Sequence, residues 1–280
     1  MMDSKIDAQN EPFYIYRGVG KCFSKGISLF TDNFKFFFRY LWPISLVCAL
    51  IFTLLNQLQL FPYDIALSEH EQFKTYYSIV VTLLYVAVYC VYLSYVYALI
   101  KLHVSTYDLS TLSYKFVIAE SMQNMKSLFA LYALFILLAA LTSVLFPLIA
   151  VALLPVLPCL MLSGKRFWKA LLSGFCLGGR YYFRCLSMAL LLLFTVGIIL
   201  FLIVSPLIVF YMIDLSENME LSMGVSVDTP YIYYYIVPAG TLAITFLSLF
   251  ISVAFYTSVA YLYASLQVAY EEKLTSLGRD

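Results

Sequence analysis

Residues 186–213 read LSMALLLLFTVGIILFLIVSPLIVFYMI, without one Asp, Glu, Lys, Arg or His. A helix rises about 1.5 Å per residue, so roughly 20 apolar residues cross a hydrocarbon core near 30 Å. A helix packed in a water-soluble protein keeps a charged face, and this stretch has none. Five more apolar stretches, at 40–61, 77–101, 128–146, 148–162 and 235–265, repeat the pattern in a chain of 280 residues that is 63% hydrophobic and 12% charged. Soluble domains are about 45–50% apolar and about 25% charged. The sequence therefore predicts an all-α polytopic membrane bundle of six transmembrane helices. The stretch 148–162 is short, and Pro147, Pro155 and Pro158 predict a kinked or shallow hairpin there. The membrane domain is expected over 20–270, with tails at 1–19 and 271–280. The first 39 residues hold no compact apolar core with a small-residue cleavage site, so the first span is expected to act as an uncleaved insertion signal.

The charges between the spans alternate in sign. Lys5, Arg17, Lys21, Lys25, Lys35 and Arg39 precede the first span, and Lys101, Lys115 and Lys126 follow the second. Lys165, Arg166, Lys169, Arg180 and Arg184 follow the fourth, and Lys273 and Arg279 close the chain. Of the 17 basic residues only Lys74 falls in the other set of loops. Those loops carry Asp64, Glu69, Glu71, Asp214, Glu217, Glu220 and Asp228. Cytoplasmic loops collect Lys and Arg, so both termini are expected in the cytoplasm and the location in the bacterial cytoplasmic (inner) membrane. None of the six cysteines falls in an outer loop, and no disulfide framework is expected.

Each basic segment leading into an odd-numbered span has apolar residues at helical spacing. They are Phe23, Ile27, Phe30, Phe34 and Phe37 in the first; Ile118, Met122, Met125 and Phe129 in the second; and Trp168, Leu172, Phe175, Gly179 and Tyr182 in the third. Three cytoplasmic amphipathic helices lying at the membrane interface are the expectation. Lys21, Lys25, Lys35, Arg39, Lys165, Arg166, Lys169, Arg180 and Arg184 are their candidate contacts to phospholipid. The first and third segments also match: Phe30, Lys35, Phe36, Phe37, Phe38, Arg39 and Leu41 align with Phe175, Arg180, Tyr181, Tyr182, Phe183, Arg184 and Leu186. The middle segment follows more loosely through Asn124, Lys126 and Phe129. A threefold internal repeat of lead-in helix, span and span is the expectation.

The run from Phe30 to Pro43, FTDNFKFFFRYLWP, resembles the membrane domain associated with glycerophosphodiester phosphodiesterases and its uncharacterised stand-alone six-span relatives. The resemblance covers about residues 20–60, echoed at 165–200. It implies a membrane module, and it brings no catalytic residue with it. No segment is long enough to be the phosphodiesterase domain itself.

Apart from Lys101 at an inner end, the spans hold no ionisable Asp, Glu, Lys, Arg or His. Intramembrane charges mark proton relays, and their lack argues against a proton-driven pump. Two polar stripes remain, Tyr85, Tyr89 and Tyr92 with Tyr95 beyond in span two, and Thr241, Thr245, Ser248, Ser252 and Tyr256 in span six. They are read as helix-to-helix glue, with a polar crevice for a substrate as the alternative. Gly174 and Gly178 read as a packing notch. His103 near Asp108, and His70 between Glu69 and Glu71, make no closed metal set. No catalytic residue, cofactor or metal is expected, and no nucleic-acid partner. The function expected is a non-enzymatic multi-pass protein that acts on membrane phospholipids, on protein partners or as a homo-oligomer. The alternative is a small-molecule or lipid transporter with a pathway between repeats.

Overall fold

The computed structural model describes residues 13–64, 71–105, 113–142, 144–222 and 233–277. Every regular element among the described residues is α-helical: α1 (Val19–Asp32), α2 (Phe34–Asp64), α3 (Glu71–Ser105), α4 (Tyr114–Leu141), α5 (Phe146–Leu153), α6 (Val156–Leu162), α7 (Phe167–Arg180), α8 (Tyr182–Ser222) and α9 (Tyr233–Leu277). The stretch 223–232, expected in an outer loop, with Asp228 and Tyr231, lies outside the described residues, as do His70 and Asp108.

Among the described residues five helices, α2, α3, α4, α8 and α9, are long and apolar enough to cross a membrane. The stretch expected as a fourth span is the exception. Pro147 sits in the first turn of α5, and Pro155 forms the cap between α5 and α6. Proline has no N–H to offer the preceding turn, so it starts helices and interrupts them. Phe146–Leu162 covers 17 residues, about 25 Å of helix at the usual rise, short of the hydrocarbon thickness of about 30 Å.

The chain divides into two compact units. The first takes residues 1–40, 93–191 and 253–280; the second takes 41–92 and 192–252. The division follows charge closely. The first unit carries 16 basic and nine acidic residues, a net +7, and the second carries one basic and seven acidic residues, a net −6.

Inside the first unit, α1, α4 and α7 begin alike. The residues before them, Gly18, Ser113 and Arg166, have extended backbone with ψ of 156°, 145° and 148°. Four and eight positions past these caps the residues are buried: Cys22 and Gly26, Val117 and Ser121, Ala170 and Gly174. Each helix rests on another at its small residue. Thr257 Oγ1 of α9 donates to the Gly26 carbonyl at 2.8 Å, and Ser258 Oγ donates to the Phe23 carbonyl at 3.2 Å. Ser94 Oγ of α3 donates to the Ser121 carbonyl of α4, and Lys101, about two turns further along α3, pairs with Glu120 at 2.5 Å. A Cβ on Gly174 would lie 2.6 Å from Val156 Cα, and one on Gly178 would collide with the Ala152 carbonyl. The chain turns into α7 through Gly164 at φ 63°, a left-handed conformation that glycine adopts without a Cβ clash.

The three lead-in helices are not alike throughout. Both α1 and α7 are 14 residues long and stop at a break, Asn33 at φ −107°, ψ 27° and Tyr181 at φ −113°, ψ 36°. By contrast α4 runs unbroken for 28 residues, so the second expected interfacial helix is the first half of a longer one. Caps and burial pair each residue of the first segment with the residue 148 positions later: Cys22 with Ala170, Gly26 with Gly174, Phe30 with Gly178, Phe37 with Cys185, Tyr40 with Met188. The alignment by aromatic residues ran three positions short of this. Three positions are about 60° short of a full helical turn, and Phe30 and Phe175 differ accordingly, 8% and 44% exposed.

Replacing Gly174 or Gly178 by Leu should destabilise the protein by about 1–3 kcal/mol or more through overpacking. Nothing lies within 4 Å of a Cβ at Gly179, and Gly179→Ala should be neutral or stabilise by up to about 1 kcal/mol. Thermal unfolding of the three variants in detergent would check the contrast.

Candidate lipid-facing surface and polar stripes

The outer face of α7 is built by default. Ala170, Gly174, Leu177 and Gly178 are buried, which leaves Trp168, Leu172 and Phe175 outward, Trp168 with 67% of its surface exposed. Lys165, Arg166, Lys169 and Arg180 are exposed around them. Large apolar side chains held outward beside cations suit a lipid boundary better than bulk water. On α1 and α2 the expected stripe is split instead. Phe30 and Phe37 are buried against each other with ring centroids 5.6 Å apart, whereas Phe34 and Phe38 stack at 5.8 Å on the exposed side. Lys21, Lys35 and Arg39 are exposed and Lys25 is half-buried, as are Phe23 and Ile27. At the start of α4, Phe116, Ile118 and Met122 are exposed, and Met125 and Phe129 are half-buried.

The tyrosine stripe is occupied with holding helices together. In the second unit Tyr85 Oη donates to the Phe52 carbonyl at 3.3 Å and bonds the Asn56 side chain. Tyr92 Oη donates to the Leu249 carbonyl, and Tyr77 Oη to the Leu58 carbonyl at 2.6 Å. In the first unit Tyr95 Oη reaches the Tyr40 carbonyl at 3.0 Å and Tyr114 Oη the Arg39 carbonyl at 2.6 Å. A helix carbonyl has a second lone pair, so each phenol is satisfied without breaking the helix it touches. Tyr89 is half-buried, and so are Thr241, Thr245 and Ser248; Ser252 Oγ donates to the Leu249 carbonyl of its own helix at 2.6 Å. The hydroxyls of Tyr85 and Tyr92, which a substrate crevice would need, are therefore committed to helix contacts.

A cluster of arginines and tyrosines in the first unit had no signal in the sequence beyond its charge. Arg17 is only 7% exposed; its N–H donates to Ser265 Oγ at 2.7 Å, and that hydroxyl donates back to the Arg17 carbonyl at 2.9 Å. The Arg17 guanidinium donates to the Phe13 carbonyl at 3.1 Å and lies 5.4 Å from the Tyr261 ring centre. Arg184 lies over the rings of Tyr16 at 4.7 Å and Tyr181 at 5.7 Å, and its Nη2 donates to Tyr16 Oη. Arg180 lies 5.2 Å from the Tyr270 ring. His103 rests against the rings of Phe36 and Phe37 at 5.2 and 5.7 Å. Among the described residues no three His, Cys, Asp or Glu side chains gather as a metal set would.

Burial pushes the Cys22 thiol up from its usual value, opposed by its bond with Ser265 and by the Arg17 and Arg184 charges. Five cysteines are buried and Cys176 is exposed. Comparison of the chain with protein-family models, with curated proteins and with solved structures finds no match.

Thiolate is the reacting form of cysteine, and access governs its rate. A maleimide added to the folded protein in detergent should modify one thiol per chain quickly, and Cys176→Ser should abolish that fast phase. Peptide mapping that places the fast label on Cys22 would contradict the packing of α1 on α9.

Proposed function

We propose that this is a non-enzymatic six-pass protein of the bacterial cytoplasmic membrane that works through its basic, aromatic lead-in helices on anionic phospholipid. The observation that carries this reading is the outward face of α7, with Trp168, Leu172 and Phe175 exposed beside Lys165, Arg166, Lys169 and Arg180. Rings of this kind settle at headgroup depth. A Lys or Arg near an acidic leaflet gains about 1 kcal/mol, so four around one helix make a firm attachment. The net +7 of the first unit supports an orientation with both tails in the cytoplasm. The sixth pass is α5 and α6 together, Phe146–Leu162, whose shortness a locally thinned bilayer accommodates. The shared caps and buried positions of α1, α4 and α7 favour three repeats, and the likeness of residues 30–43 to the phosphodiesterase-associated membrane domain fits a module that serves the bilayer rather than a reaction.

The chain has two tryptophans, Trp42 and Trp168, so a Trp42→Phe variant reports from α7 alone. Reconstituted in mixed vesicles, its fluorescence should be quenched severalfold more effectively by brominated phosphatidylglycerol than by brominated phosphatidylcholine. Replacing Lys165, Arg166 and Lys169 by Gln should bring the ratio close to one. Equal quenching by the two lipids in the parent protein would end the lipid-surface reading.

Orientation has a separate check in Cys176. A membrane-impermeant maleimide should label it in lysed cells and not in intact spheroplasts; labelling from outside would reverse the topology.

A further inference from the structure

Among the described residues Arg184 is held in place without being neutralised. Its guanidinium carbon lies 4.7 Å from the Tyr16 ring centre and 5.7 Å from that of Tyr181, contacts that hold the cation in place without cancelling its charge. One nitrogen, Nη2, donates to Tyr16 Oη. The other, Nη1, is buried with no acceptor among the described residues. Neither Arg184 nor Arg180 pairs with a carboxylate among the described residues, whereas Lys101 on the same unit meets Glu120. Tyr16 Oη accepts from Arg184 and still has its own proton to donate. An N–H and an O–H therefore stand beside a fixed positive charge with no carboxylate against it among the described residues. Such a group is expected to recruit an acceptor, because an unsatisfied charged donor is costly. Tyr16 is 46% exposed and precedes α1 in non-helical backbone, which gives an approach from outside.

We propose that Arg184 and the Tyr16 hydroxyl bind one phosphate-class oxyanion, the phosphodiester of an anionic phospholipid or free phosphate. The planar fork of arginine suits two oxygens of one phosphate. This site rests on the reading above, in which the basic end of the first unit meets an anionic leaflet, and it narrows that reading from a surface to one stoichiometric position.

The test is a thermal-shift titration of the full-length protein in neutral detergent with short-chain phosphatidylglycerol, short-chain phosphatidylcholine and inorganic phosphate. The parent should show a saturable rise in melting temperature with phosphatidylglycerol or phosphate, and whichever saturates at the lower concentration names the source. Arg184→Gln should weaken that binding at least tenfold, Arg184→Lys should retain part of it, and Tyr16→Phe should weaken it severalfold. Lys273→Gln, exposed near the end of α9, should leave it unchanged. A parent that responds to neither anion, or Arg184→Lys and Tyr16→Phe variants that bind as the parent does, would overturn the site; these two remain informative if Arg184→Gln fails to fold. The Trp168 quenching ratio should survive in Tyr16→Phe. Its loss in the parent, with phosphate binding intact, would sink the surface reading and leave this site standing.

Discussion

The first unit depends on how closely one helix can approach another. Eight residues past each cap stands a residue no larger than serine, Gly26, Ser121 or Gly174. At that point a hydroxyl of the neighbouring helix bonds the carbonyl of the small residue in two of three cases, and bare backbone fits against it in the third. In hydrocarbon, helices gain little from burying apolar surface against one another, so close van der Waals contact and hydroxyl bonds must hold them. A side chain at Gly26 would push α1 off α9, and with it the irregular stretch that carries Tyr16 and Arg17. The outward set of Trp168 and its neighbours has the same origin, since it is the inward notch that decides which face of α7 remains.

Much of this was legible in the sequence, and the exceptions have physical reasons. Long charge-free runs locate α2, α3, α8 and α9 because nothing else in a protein needs them. The run around Pro155 is apolar enough for a span, and its prolines already announce the break that separates α5 from α6, because a missing N–H divides a helix. The conspicuous residues that align the first and third segments differ in burial, Phe30 inward and Phe175 outward. The caps and the small buried residues Gly26 and Gly174 instead occupy matching positions of α1 and α7, a likeness that is unremarkable until the neighbouring helix is present. Within the tyrosine stripe, Tyr85, Tyr92 and Tyr95 each bond a carbonyl of another helix, as a phenol without water is expected to do. The pairing of Arg184 with Tyr16 joins positions 168 apart in sequence, and no spacing rule reaches that far.

Charge acts on this chain at two scales. Over the whole chain, basic residues gather in one compact unit and acidic ones outnumber them in the other, a pattern that fixes how a chain is threaded and asks nothing of any single side chain. Locally the arginines are treated differently from the lysines. Arg17, Arg180 and Arg184 each lie against a tyrosine ring, whereas Lys165 and Lys169 extend outward. Weak hydration and a flat shape let guanidinium pack on aromatics, so the same net charge is part structure and part surface.

The seat of α1 has a consequence for biogenesis. Its hydrogen bonds to α9 join residues 231 and more positions apart. At ribosomal speeds of about 5–20 residues per second, the first helix waits on the order of ten to fifty seconds before its partner is made. During that interval the face around Gly26 is uncovered, and a message broken before α9 leaves it so. The nascent chain thus carries at its beginning a record of whether its end has been written.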